Sequence, residues 1–252
     1  MSKNFELLNK ALQEDLTQAD SGPQRVVVES MPETNSDAAE LLSNNPEELE
    51  LTNLVQRVFL RPGAEAPRMV GFAAVEAQAG CTWVCARVAK ILAAKVAGSV
   101  CVVDANLRTP GLRTQFPVTN HASGNGARPR TETLADYAEP LFGKKLWIVS
   151  LGYGTSGLDA SAVSERMRSQ ISGLRAHFDY VLLDLPPLNK YADAIVLGGA
   201  CDGMIIVLRA NSSRRDATQR AVADLKAANV QVLGVALNQR TFSVPEVIYR
   251  RL

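Results

Sequence analysis

The stretch "MVGFAAVEAQAGCTW", Met69 to Trp83, decides how this chain is read. Its first part, MVGFAAV (69–75), is an almost unbroken apolar run, the pattern of a strand buried on both faces. From Thr82 to Ala97 apolar residues recur at helical spacing. The turn between them, VEAQAGCTW (75–83), lies where a phosphate-binding loop belongs, because a glycine-rich strand-to-helix turn aims backbone N–H groups at an anion. Gly80 supplies a glycine and Thr82 a hydroxyl, but Cys81 stands where such a loop carries its lysine.

Working outward, further strands read at SVCVVDA (99–105), LWIVSLG (146–152), YVLLDL (180–185), GMIIVLR (203–209) and VQVLGVALN (230–238). Helical segments at Thr82 to Ala97, Ser161 to His177 and Arg214 to Ala228 separate most of them. The alternation predicts an α/β domain: a twisted, mainly parallel sheet with helices on both faces. Before it, Pro46-Glu47-Glu48 opens a helix with Leu51, Leu54, Val55 and Val58 on one face. Residues 19–46, rich in Ser, Asn, Asp, Glu and Pro, read as a flexible linker. Phe5, Leu8, Ala11, Leu12 and Leu16 mark an amphipathic helix within 1–18. The expected organisation is therefore helix (1–18), linker (19–46) and one domain (47–252), with TNHASGNGARPRTET (119–133) as a polar loop inside it.

Composition narrows the function classes. The chain has 252 residues, is 46% hydrophobic and 21% charged, and carries a net charge of +1. That length suits one large α/β domain, and so balanced a charge argues against nucleic acid as the main partner. The four cysteines, Cys81, Cys85, Cys101 and Cys201, lack metal-site spacing and read as reduced, buried thiols of a cytoplasmic protein. Charges at Lys3, Glu6, Lys10, Glu14 and Asp15 leave no signal-peptide core, and no run of about 20 apolar residues follows to span a membrane. A membrane role would then need a partner. His121 and His177 have no partner spacing that suggests catalysis or metal.

Asp104 ends VCVVD and Asp184 ends YVLLD, and ligands of open α/β sheets sit beyond the carboxyl ends of the strands. Carboxylates placed there beside a phosphate loop hold Mg²⁺ directly or through water, which gives Thr82, Asp104 and Asp184 as candidate metal residues.

These residues also carry a resemblance. VVDANLRTPGL (102–112) is similar to the second Walker-type motif of the bacterial tyrosine kinases of capsule and exopolysaccharide synthesis, with Asp104, Asn106, Arg108 and Pro110 at its motif positions. FDYVLLDLPPLNKYADAIVL (178–197) resembles that family's Walker B segment, with Asp184, Pro186, Pro187 and Asp193. CDGMIIVLRANSSRRDA (201–217) and VLGVALNQR (232–240) continue it, so the resemblance covers roughly residues 47–240. It implies the fold of the partition and division-site ATPases, ATP or ADP with Mg²⁺ as cofactor, and a membrane polysaccharide co-polymerase or other export protein as partner. Homo-oligomers are a further expectation. It also implies that Asn238 contacts adenine, although an Asn at a strand end equally caps a loop.

The departures point to a pseudokinase. The family's loop, Pro-Gly-Glu-Gly-Lys-Ser/Thr, is here Ala77-Gln78-Ala79-Gly80-Cys81-Thr82; the second acid of the second motif is Asn106; a ring-assembly signature falls on Glu50, Asn53 and Gln56; and of the C-terminal tyrosines only Tyr249 remains. Losing one charge-assisted hydrogen bond to phosphate, about 1.5–3 kcal/mol, weakens nucleotide binding roughly ten- to a hundredfold. Gly80, Cys81, Thr82, Arg108 and Asn238 remain the candidate nucleotide contacts, and Asp104, Asn106 and Asp184 the family-equivalent catalytic positions, none expected to be competent. Arg87 or Arg108 could replace the lost cation, which keeps an active kinase or ATPase as the alternative. Cys81 itself is either a thiolate at a helix N-terminus or a small residue filling the lysine channel.

Overall fold

The structure is a computed structural model that describes residues 24–29, 46–61, 66–116, 133–142, 145–150 and 160–240. The expected N-terminal helix, most of the polar loop at 119–133, His121 and Tyr249 lie outside the described residues. The strands are β1 (Gln24–Glu29), β2 (Met69–Ala74), β3 (Val100–Asp104), β4 (Glu139–Phe142), β5 (Leu146–Ser150), β6 (Tyr180–Asp184), β7 (Gly203–Arg209) and β8 (Val232–Arg240). The helices are α1 (Pro46–Phe59), α2 (Cys81–Lys95), α3 (Ala160–Gly173), α4 (Asp193–Gly198) and α5 (Arg215–Ala227).

The strands form one sheet in the order β1-β8-β7-β2-β6-β3-β5-β4. Every pairing is parallel except β4 with β5. Alternation along each strand feeds two cores. On one face Val70, Phe72, Val102, Leu182 and Ile205 pack with Leu51, Leu54, Val55 and Phe59 of α1 and with Val84, Val88 and Leu92 of α2. On the other, Met69, Val103, Leu183, Met204 and Ile206 pack with Ile171 of α3, Leu197 of α4 and Leu225 of α5. With both faces covered, the strands need the near-continuous apolar runs that the sequence shows.

Two strands depart from the sequence reading. Gln24–Glu29, inside the stretch read as linker, lies along β8 at one edge of the sheet; its three consecutive valines outweigh their polar surroundings. Glu139–Phe142 forms the other edge, where Pro140 is tolerated because an edge strand need not donate on both sides. The helix read to His177 gives way after Gly173 to a 3₁₀ turn, Leu174–Ala176. Glu50 and Asn53 are half-buried and Gln56 exposed on α1, off the stripe that enters the core.

β2, which leads into the Gly80 turn, lies between β7 and β6 near the middle of the sheet. The ends of β3 and β6 follow on one side and those of β7 and β8 on the other. All the loops that build the site leave from this carboxyl edge.

Candidate functional site

β2 ends at Ala74 and α2 begins at Cys81, so residues 75–80 form the turn. Gly80 takes φ 80° and ψ 24°, and a Cβ there would meet Asn238 Nδ2 at 2.1 Å. Glycine is therefore required both by torsion and by close approach. Gln78 also takes a left-handed φ, 65°. This is where the resemblance places a glycine, and a side chain in that region costs about 1 kcal/mol or more.

The turn is held from both sides. Leu188 N donates to Ala74 O at 2.9 Å and Asn189 N to Val75 O at 3.2 Å, from the loop after β6. From the end of β8, Asn238 Nδ2 donates to Ala79 O at 2.9 Å and Gln239 Nε2 to Gln78 O at 3.4 Å. Asn238 is fully buried; one of its two amide hydrogens goes to Ala79 O, and its Oδ1 has no hydrogen-bond partner.

Asp104 and Asp184 are register partners on adjacent parallel strands, which brings both carboxylates to the edge where the turn lies. Thr82 Oγ1 donates to Asp184 Oδ2 at 2.7 Å. Gly111 N and Leu112 N both donate to Asp104 Oδ2 at 3.1 Å. The second oxygen of each carboxylate, Asp104 Oδ1 and Asp184 Oδ1, is buried without a hydrogen-bond partner. Burial pushes the Asp184 carboxyl up to about 7, with Thr82 pulling it back and the Asp104 charge adding to the rise. Asp104 is raised by burial too, against the backbone N–H groups of Leu112, Asn106 and Gly111. Two orphaned carboxylate oxygens beside a hydroxyl form an all-oxygen donor set, which fits Mg²⁺ completed by phosphate oxygens and water. Leaving such atoms dry and unpaired costs about 1–3 kcal/mol each, so a cation there would relieve the fold as well as bind.

At the position that the resemblance gives to a lysine the described loop carries Cys81. Cys81 is the first residue of α2 and buried. Burial raises its thiol well above the usual range, and the Asp184 charge and Cys85 add to this. A raised thiol in hydrogen-bonding contact with Asp184 favours the neutral form over a helix-end thiolate. The two arginines considered as replacements are engaged elsewhere. Arg87 lies over the ring of the buried Trp83 at 5.6 Å. Arg108 pairs with Asp193 at 3.3 Å and covers the Tyr191 ring at 5.1 Å, tying the loop after β3 to the start of α4 and the residues just before it. Asn106 closes its own turn: Nδ2 donates to Thr109 Oγ1 at 3.0 Å, and Oδ1 accepts Thr109 N at 3.2 Å.

The sequence-predicted residues Gly80, Cys81, Thr82, Asp104, Asp184 and Asn238 thus meet at one edge, while Arg108 and Asn106 serve the neighbouring loops. Gln239, Leu188 and Asn189, which also hold the turn, carry no motif signal because two of them act through backbone atoms alone.

No protein-family model matches the chain. Among curated relatives, it is 26% identical over 150 residues to the tyrosine-protein kinase CpsD of Streptococcus agalactiae serotype Ia, covering 57% of this chain and 62% of that one. It is 24% identical over 144 residues to the tyrosine-protein kinase YwqD of Bacillus subtilis, covering 57% and 61%. The chain thus spans less than two thirds of the length of these relatives. Its fold is similar to that of the kinase domain of Escherichia coli tyrosine kinase ETK, with a TM-score of 0.66 at 18% identity over 92% of this chain and 96% of that one. The septum site-determining protein MinD of Pyrococcus horikoshii, solved with Mg-ADP, gives 0.53 at 20% identity over 73% and 76%. The homologues are bacterial tyrosine-protein kinases, and the fold is that of the P-loop ATPases.

Proposed function

We propose that this chain, whose homologues are bacterial tyrosine-protein kinases, is a catalytically degenerate member of that line that acts as a partner or regulator in exopolysaccharide or capsule assembly. The observation that carries the reading is Cys81: a buried, neutral thiol at the one position where the loop needs a cation. Backbone N–H groups at the start of α2 still offer an anion site, and Thr82, Asp104 and Asp184 would hold Mg²⁺. When bound, that ion neutralises charge on the phosphate oxygens. Without the lysine, charge developing on the transferred phosphoryl group lacks its main protein counter-charge, and positioning plus electrostatics is nearly all that such catalysis consists of. ATP or ADP binding is therefore weakened and turnover lost.

The expected partner is a membrane polysaccharide co-polymerase or another export-machinery protein, with homo-oligomers as a further possibility in the family's manner. Among the described residues no helix is long and apolar enough to cross a membrane. The protein is read as cytoplasmic and recruited to the inner face of the membrane by that partner. Calorimetry of Mg·ATP on the purified chain, with assays of ATP hydrolysis and of phosphotyrosine, tests the reading. Weak binding without turnover is expected. Turnover or phosphotyrosine that disappears in Asp184→Asn would return the chain to the active kinases, with its cation relocated.

A further inference from the structure

A second charged surface lies on the same edge of the sheet, outside the site described. Arg209 ends β7, Arg214 is the N-cap residue of α5, Arg215 is its first residue and Arg220 lies further along it. All four are exposed. Their side chains make no ion pair or hydrogen bond to the described residues. On α5 two exposed acids accompany them, Asp216 and Asp224, each one turn from Arg220, so the unopposed charge is that of Arg209, Arg214 and Arg215.

The corner that carries them is well ordered. Arg209 N donates to Ser213 Oγ at 2.9 Å, and Ser213 N returns a bond to Arg209 O at 3.0 Å. Asn211 takes φ 58°, a conformation that Asn tolerates well in turns. Thr218 Oγ1 donates to Arg214 O at 3.0 Å. Such an arrangement is electrostatically unfavourable when nothing covers it. Arg214 and Arg215 face the positive end of the α5 dipole, where an anion is favoured and a cation opposed, and they repel each other. Nor does α5 receive a side-chain cap hydrogen bond from its N-cap residue.

We propose that this corner docks an acidic peptide segment of a partner protein. The chemistry selects that occupant in three ways. All four cations are arginines, whose planar forks bind carboxylates in pairs of hydrogen bonds, whereas a lysine is only a point charge. They are spread from the end of a strand onto a helix, which matches a row of carboxylates along an extended segment better than one phosphate group. The exposed residues between them, Asn211, Ser212, Asp216 and Gln219, are polar or charged, so the surface has no apolar anchor for a bilayer. The net charge of +1 leaves no broad basic face for a nucleic-acid duplex.

The corner is also joined to the phosphate loop. Ala210 N donates to Asn238 O at 2.8 Å, and the side chain of the same Asn238 holds Ala79 O. A segment docked on Arg209 and Arg214 therefore sits one residue from the strap of the Gly80 turn. The docking needs no bound nucleotide, so it stands whether or not the site binds Mg·ATP.

The test is fluorescence anisotropy of a labelled Glu-rich synthetic peptide titrated with the full chain at low and raised salt. A Lys-rich peptide, an anionic phospholipid vesicle and a DNA duplex form the comparison arms. Saturable, salt-sensitive binding of the Glu-rich peptide alone is expected. It should weaken about tenfold in the Arg214→Gln/Arg215→Gln double variant, as expected for two exposed charge pairs. The Arg214→Lys/Arg215→Lys variant keeps the charge but not the fork, and should fall between. Lys95→Gln/Lys145→Gln, which removes the same charge elsewhere, should bind as the parent does. No peptide binding, equal weakening by the lysine control, or tighter binding of the vesicle or duplex would each overturn the proposal.

Discussion

Replacing Asp184 by Asn should make the isolated chain more stable, and increasingly so as pH rises. Asp184 is fully buried, and its carboxyl is pushed up to about 7 from an ordinary value of 3.8. The folded state therefore holds a proton on this group where the unfolded chain has lost it. Stability from such a group is fully present below the unfolded value and is lost as pH climbs from about 4 to about 7. At 1.36 kcal/mol per pH unit the loss amounts to roughly 4 kcal/mol, as an order of magnitude. Asn keeps an oxygen for the Thr82 hydroxyl, now at 2.7 Å from the carboxylate, and carries no charge to desolvate. Urea unfolding followed by circular dichroism at pH 4.5, 6, 7 and 8.5 measures the difference. The variant's advantage should be small at the lowest pH, grow through 6, and level off above 7. Parallel curves for the two proteins would refute the reasoning, because a buried carboxylate without a proton would then cost nothing. Added Mg²⁺ and ADP should favour the parent only, since the charge that destabilises the free fold is the charge a cation needs.

The other predictions concern the turn and the base of the sheet. Cys81→Lys should tighten Mg·ATP binding by roughly ten- to a hundredfold, read by calorimetry, while raising hydrolysis far less, because Asn106 is unchanged. Gln78→Gly should stabilise the chain by about 1 kcal/mol in urea unfolding, since its φ of 65° suits glycine and the bond from Gln239 goes to its backbone oxygen. Asn238→Ala removes the donor to Ala79 O and should cost about 1–3 kcal/mol, together with faster hydrogen exchange in residues 75–82. Asp202 accepts Arg68 N, Met69 N and both ends of the Arg175 fork. Burial would raise it, but Arg175 and the amides hold it below its ordinary value; its stabilisation is present above that ordinary value and lost as pH falls below it, so Asp202→Asn should flatten the acid limb of unfolding.

How far the sequence could be read follows from what each element depends on. β2, β3, β5, β6, β7 and the core of β8 are covered on both faces, so their apolar runs had to be nearly continuous and stood out. β1 and β4 are edges, where a short strand with charges or a proline suffices, and the same residues also describe a loop. Asp104, Asp184, Gly80 and Thr82 were legible because strand-end carboxylates and a strand–glycine–helix junction are local patterns. The strap was not: Asn238 and Ala79 are 159 residues apart, and nothing in either residue type announces the bond. Arg108 read as a candidate phosphate ligand, yet its partners Asp193 and Tyr191 lie at and just before the start of α4, some 85 residues away in sequence.

The aspartates stand in a site where Cys81 takes the position that the resemblance gives to a lysine. Asp104 fastens the turn at Gly111 and Leu112, and Asp184 fastens Thr82, so each has a structural use that needs no nucleotide. A lysine at position 81 would have no such use, since its ammonium serves only the phosphate. Once phosphoryl transfer is dispensable, that position is open to a small apolar residue, and a buried thiol beside Cys85 suits it. On the proposed reading, the presence of the aspartates is therefore weak evidence for catalysis, whereas Cys81 at the position that the resemblance gives to a lysine weighs against it. What the fold alone does not explain is the second oxygen of each carboxylate, buried and unpaired. Those two atoms are the part of the site best suited to a cation, so on the proposed reading Mg²⁺ binding should be kept even where turnover is not.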